Sequence, residues 1–183
     1  MITKEYMDPQ IVEDLKQVFQ KEGSVQLRNF LDKTWYTKML DRVKRLRYEH
    51  VCEPLYHSYH STIFSDKRFL LPLHTFACTL MGVSFQPREA YAFSFHHKDY
   101  TLLHDEMQEE DGTLVIFDLT PWWNQEAGGF ISFIQDNQEA LRVLSAQNTF
   151  TMIRTTPEMK RFIKYVNVLA DKNKRYFLEL RYP

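Results

Sequence analysis

The sequence predicts an α+β fold, with helices in the first part of the chain and a two-sheet antiparallel jelly roll or barrel in the rest. Three observations carry this. Helical periodicity is confined to residues before about 85. From Ala90 onward the apolar runs are short, β-branched or aromatic, and separated by turn residues. The 183 residues, 44% hydrophobic and 15% aromatic, suit one domain (1–183) with a core of large rings. Within it, 1–85 reads as mainly helical and 86–183 as jelly-roll strands.

The first helix is expected over Ile11–Lys21, where Ile11, Val12, Leu15, Val18 and Phe19 follow a 3.6-residue period and Gly23 can end it. Val25–Phe30 alternates as a strand. Lys33–Arg47 forms the second helix, with Trp35, Met39, Leu40, Val43 and Leu46 along one side. Asp66–Leu80 forms the third, which Pro72 should kink or delay. Strands follow at Ala90–Phe95, Thr113–Leu119, Phe130–Ile134, Phe150–Arg154, Phe162–Val168 and Tyr176–Tyr182. A jelly roll or barrel lets this many short strands avoid exposed edges. An immunoglobulin-like sandwich is the competing architecture, but it would not need the leading helices.

Charge narrows the partners. With 23 Lys and Arg against 24 Asp and Glu, a net charge of -1 offers no long-range attraction to polyanions, which argues against a nucleic-acid or membrane-surface role. Cys52 and Cys78 sit in no metal-ligand or disulfide spacing, so a reduced, cytoplasmic setting is expected. Charged residues interrupt the first twenty positions, leaving neither a secretion signal nor a membrane span there.

The residues that suggest chemistry lie in Phe95-His96-His97-Lys98-Asp99-Tyr100-Thr101-Leu102-Leu103-His104-Asp105-Glu106, followed by Leu119-Thr120-Pro121-Trp122-Trp123 and Gly128-Gly129. On an extended segment, residues two apart face the same way, so His104 and Glu106 can address one ion while Asp105 points away. These are two legs of a 2-His-1-carboxylate triad, which leaves open positions on Fe(II).

In these motifs the chain resembles the prolyl-hydroxylase-like branch of the iron- and 2-oxoglutarate-dependent oxygenases, from about Val25 to Arg181. Asp99, Tyr100 and His104 fall in the register of that family's metal motif. Leu119, Trp123, Gly128 and Gly129 match the element that follows it. The resemblance implies a double-stranded β-helix core with the N-terminal helices packed on one sheet. It further implies Fe(II) held by His104 and Glu106, 2-oxoglutarate gripped by Arg175 beside Phe95 and Tyr100, and a protein or peptide side chain as substrate. Arg181, further along the same strand face, is the alternative grip.

Three departures stand out. Glu106 replaces the usual Asp, and Phe95 stands where a Tyr often reaches the co-substrate. All seven His lie at or before 104, so no distal His exists and Arg161 is expected in its place. A guanidinium offers no lone pair to a metal; it would pair with Glu106 or Asp105. His57 and His60 are the best substitutes for the third ligand. The competing function is therefore a pseudoenzyme, the fold kept as a binding or interaction module. A cupin-like site for another divalent ion is a third reading, although such sites draw on several His.

The plainer readings are a polar strand end for His104 and Glu106, and a loop before the site for His96, His97 and Asp99. His57 and His60 can equally be solvated or core-edge residues. Trp122 and Trp123 suit packing under a turn, Arg175 a strand-surface charge, and Gly128 and Gly129 a turn needing positive φ.

Overall fold

A computed structural model describes residues 1–103 and 111–183 of the chain. The first helix, α1 (Pro9–Glu22), starts where Asp8 accepts from the backbone N–H of Gln10 and Ile11, and stops at Gly23 with φ 71°. Strand β1 (Ser24–Leu27) and helix α2 (Lys33–Lys44, capped by Asp32) follow. Next come β2 (Glu49–Glu53) and β3 (His57–Ile63), a hairpin for which the sequence shows no clear alternation. Helix α3 (Lys67–Met81) begins at once from an Asp66 cap and carries Pro72 within it. The proline therefore does not delay the helix.

The remaining strands are β4 (Glu89–Phe95), β5 (Tyr100–Thr101), β6 (Gly112–Asp118), β7 (Ile131–Gln135), β8 (Gln138–Val143), β9 (Thr149–Thr155), β10 (Lys160–Ile163) and β11 (Arg175–Tyr182). Three of these differ from the expected pattern, the first being the two-residue β5, which it lacks. The β8 strand is mostly exposed and polar, so it lacks an apolar signature. The β10 strand ends at Ile163, and the run to Val168 that reads as strand leaves the ladder.

All strand pairs are antiparallel, in the order β1-β9-β6-β11-β4-β3-β5-β10-β7-β8, with β2 on the other edge of β3. The sheet curls on itself, as the two cores show. Val115, Phe117, Met152, Leu178 and Leu180 pack with Met39, Leu73, Phe76 and Leu80 of the helices. Their strand neighbours Leu114, Ile116, Ile153 and Phe177 face the other way, against Ile131 and Phe133 of β7, Val143 of β8 and Ile163 of β10. Helices cover one side of the larger sheet, and the second, smaller sheet closes over the other. This is a double-stranded β-helix. No helix among the described residues is long and apolar enough to cross a membrane.

Candidate active site

Between the two sheets lies a cavity of about 270 Å³, close in size to small-molecule sites. Its aromatic wall is Tyr59, Phe93, Phe95 and Phe177, and its polar lining includes Glu53, His57, Thr101, Arg161 and Glu179. Strand alternation decides who faces inward. On β3, His57 and Tyr59 look into the cavity, so Ser58 and His60 look out the other side. On β11, Phe177 and Glu179 look in while Leu178 and Leu180 meet the helices.

Glu179 is buried and held from two sides. Arg161 Nη1 donates to its Oε2 at 2.6 Å, and Arg181 donates to Oε1 at 3.0 Å. Burial alone would raise this carboxyl, but the two guanidinium groups outweigh it and hold Glu179 below the usual carboxylate range. Tyr59, across the cavity, is pushed up by its burial despite the Arg161 charge.

Several residues singled out from the sequence can be placed. Phe95 is fully buried and lines the cavity. Arg161 faces the cavity from β10, and among the described residues its partner is Glu179. His104 and Glu106, with Asp105, lie outside the described residues. Of the described residues before them, Thr101 lines the cavity, and Leu102 and Leu103 are exposed.

Two expectations need correction. Tyr100 is not at the cavity: since Thr101 faces in, Tyr100 faces out, its ring 6.2 Å from that of Tyr165. Arg175 is not a surface charge, nor does it line the cavity. It is completely buried, with Nε and Nη2 each 3.0 Å from Asp118 Oδ2 and Nη1 donating to the Gly129 carbonyl. Its charge is already met by a carboxylate of the chain itself, to which Nε donates. Burial pushes Asp118 up and Arg175 down, in each case more than the partner's charge offsets. Arg181 supports Glu179 instead of lining the cavity.

The Trp and Gly-Gly element is structural. Trp123 Nε1 donates to the Gly128 carbonyl at 2.9 Å, and both glycines have positive φ. Trp122 is exposed.

The two substitute histidines separate cleanly. His57 lines the cavity and pairs across the ladder with Thr101, three positions before His104. His60 lies on the opposite face, where its Nδ1 is 3.2 Å from Asp99 Oδ2 and its ring is 4.5 Å from that of His96. Burial lowers the His60 pKa more than the Asp99 carboxylate raises it.

Glu179, Tyr59 and Glu53 carry no motif and escape a reading by sequence. The one available signal was Glu179 itself, an acid on the same face of the strand as Phe177 in Tyr176-Phe177-Leu178-Glu179-Leu180.

No protein-family model matches the sequence, and no curated protein matches it either. Solved structures do. A prolyl-4-hydroxylase from Pseudomonas putida aligns at 10% identity with a TM-score of 0.74, over 94% of this chain and 98% of its own. A prolyl hydroxylase from Trichoplax adhaerens, solved with a hypoxia inducible factor peptide fragment, aligns at 14% identity and TM-score 0.72, over 94% and 89%. A 2OG-Fe(II) oxygenase-family oxidoreductase from Burkholderia pseudomallei aligns at 14% identity and TM-score 0.69, over 93% and 90%. The chain thus has the double-stranded β-helix fold of the prolyl hydroxylases and other 2OG-Fe(II) oxygenases.

Proposed function

We propose that this protein is a 2-oxoglutarate-dependent oxygenase of the prolyl-hydroxylase-like kind, working in the cavity between its two sheets on a protein or peptide side chain. The observation that carries the reading is His57, an imidazole on the cavity wall whose ladder partner, Thr101, stands three positions before His104 in the sequence. By residue type, His57, His104 and Glu106 are the two imidazoles and one carboxylate that a 2-His-1-carboxylate set needs. His57 thus takes the part of the missing distal His, and Fe(II) fits the cavity in spite of Arg161, whose charge is answered by Glu179 at 2.6 Å. When bound, iron and 2-oxoglutarate supply the oxidant for hydroxylating a C–H bond.

The chain's own residues supply the rest. Arg161, which lines the cavity where Arg175 does not, is the cation that a co-substrate carboxylate would meet there, shared with Glu179. Phe93, Phe95 and Phe177 exclude water from the reacting bond. The peptide-side-chain preference rests on the Trichoplax neighbour, which was solved with a peptide.

A second reading has its own observation. The Arg161 and Glu179 pair stands in the cavity where a metal would otherwise find ligands, as in a barrel kept for binding alone. Titration of Mn(II) into the protein with and without 2-oxoglutarate, followed by calorimetry, separates the two. The oxygenase reading predicts micromolar binding that weakens at least tenfold in His57→Ala and in His104→Ala. No binding by the wild type would overturn it and leave the binding-module reading.

A further inference from the structure

Outside the cavity, on the far face of β3, the chain assembles a second constellation of ligand atoms. His60, His96 and Asp99 each bring one potential donor atom, all within 4.8 Å of one another. Three elements deliver them. His60 comes from β3, His96 from the end of β4, and Asp99 from the turn into β5. That turn is firmly set: the Asp99 N–H donates to the His96 carbonyl, Lys98 sits at φ 79°, and Lys98 and Asp99 exchange backbone hydrogen bonds with Val166.

From these positions we infer a divalent transition-metal site, ligated by His60, His96 and Asp99, that is separate from the cavity and pins β3 to the β4–β5 turn. The spacing suits the ion. Bonds of about 2.0–2.1 Å in tetrahedral zinc sites place neighbouring ligand atoms about 3.3 Å apart. Asp99 Oδ2 lies 3.2 Å from His60 Nδ1 and 3.6 Å from His96 Nδ1.

Asp99 is almost wholly buried, while the two imidazoles are partly open, so a buried carboxylate faces solvent-reachable nitrogens. Its second oxygen, Oδ1, accepts from Ser58 at 3.4 Å, and Ser58 in turn lies 3.0 Å from His50 Nε2. This orients the carboxylate as the outer contacts of metal-bound carboxylates do. The His50 ring stacks on His60 with centroids 4.7 Å apart and shields it from one side.

In the absence of an ion the same atoms make a plain hydrogen-bonded cluster. His96 Nδ1 then also meets the His97 carbonyl at 3.0 Å, a contact that metal binding would replace. The ligand set, two imidazoles and one carboxylate without sulfur, suits Zn(II), Co(II) or Ni(II) better than calcium or magnesium. The nearby His97-x-Asp99 spacing is misleading, because the donor beside Asp99 is His96.

The test is a Zn(II) titration of the full chain by calorimetry, in a His57→Ala/His104→Ala background that removes the cavity's imidazoles. One equivalent should bind, at least tenfold more weakly once His60→Gln or His96→Gln is added. Both replacements fall at partly exposed positions, so melting curves in EDTA should stay unchanged. If the background variant does not fold, the wild type serves instead: the His60→Gln variant should bind one fewer equivalent of Zn(II) than the wild type. No binding in the background variant, or binding indifferent to His60→Gln and His96→Gln, would overturn the site. Neither outcome bears on the cavity, whose histidines are absent from the first comparison.

Discussion

At the scale of single residues, the chain buries two ion pairs between its sheets and uses them differently. Arg175 and Asp118 form a closed pair with no solvent access, tied further by the Thr120 N–H on Asp118 Oδ1 at 2.9 Å. Breaking such a pair by removing one partner leaves an uncompensated charge, which typically costs about 3–5 kcal/mol. Asp118→Ala should therefore lose about that much in urea denaturation, with little change in the cavity lining.

Glu179 belongs to the cavity, and its effect is visible in pH. Its folded pKa is depressed relative to the unfolded chain, so it stabilises the fold above the ordinary glutamate value of 4.5, and that contribution fades as pH falls further. Wild-type stability should decline more steeply below that pH than the stability of Glu179→Gln, as followed by thermal melts across the acid range. Equal slopes would mean that the two guanidinium groups do not hold the carboxylate charged.

Both arginines stood out from the sequence, but their partners did not. A sequence marks a buried guanidinium only as a charge in a strand, and strand register decides which acid it meets. The resemblance placed Arg175 on a co-substrate because position along the strand is all that it transfers. Asp118 is its ladder-side neighbour on β6, and only pairing between β6 and β11 brings the two together.

At the scale of elements, the three helices and the β1, β4, β6, β7, β9 and β11 strands were legible because each carries its own periodicity. The β2–β3 hairpin was not. Its residues alternate weakly, since β3 is half-buried along nearly its whole length, with the cavity on one side and the histidine cluster on the other. That hairpin is also where both proposed metal sites take a histidine. His57 and His60, equivalent substitutes in the sequence, differ by an odd number of positions and so fall on opposite faces.

The turn after Trp123 is the other element that fixes the cavity's surroundings. Gly128 has φ 81°, and a Cβ there would lie 2.2 Å from the Tyr165 carbonyl oxygen. Gly128→Ala would thus force apart the loop that continues from β10, and should lose at least about 1–3 kcal/mol by the same denaturation assay. An alanine tolerated without loss would show that this close approach is not required.

At the scale of the whole molecule, curling one sheet until its smaller part covers the larger leaves a lined cavity between them and a helical layer outside. The pattern of short strands predicted a closed antiparallel architecture, and the motif resemblance predicted which one. What neither could supply was the interior arrangement: the sequence names His57 and His60 alike as substitutes for the missing distal histidine, and only the strand register puts His57, and not His60, on the cavity side.

The central claim is that this cavity still performs oxygenase chemistry with His57 in the vacant place. It is tested most directly by measuring succinate released from 2-oxoglutarate by the purified protein with Fe(II) and ascorbate. The account predicts release that depends on added Fe(II) and falls at least about tenfold in His57→Ala, since losing even an outer partner of a metal ligand costs about 10–100-fold. Succinate no higher than in the protein-free control, or release unaffected by His57→Ala, would contradict it.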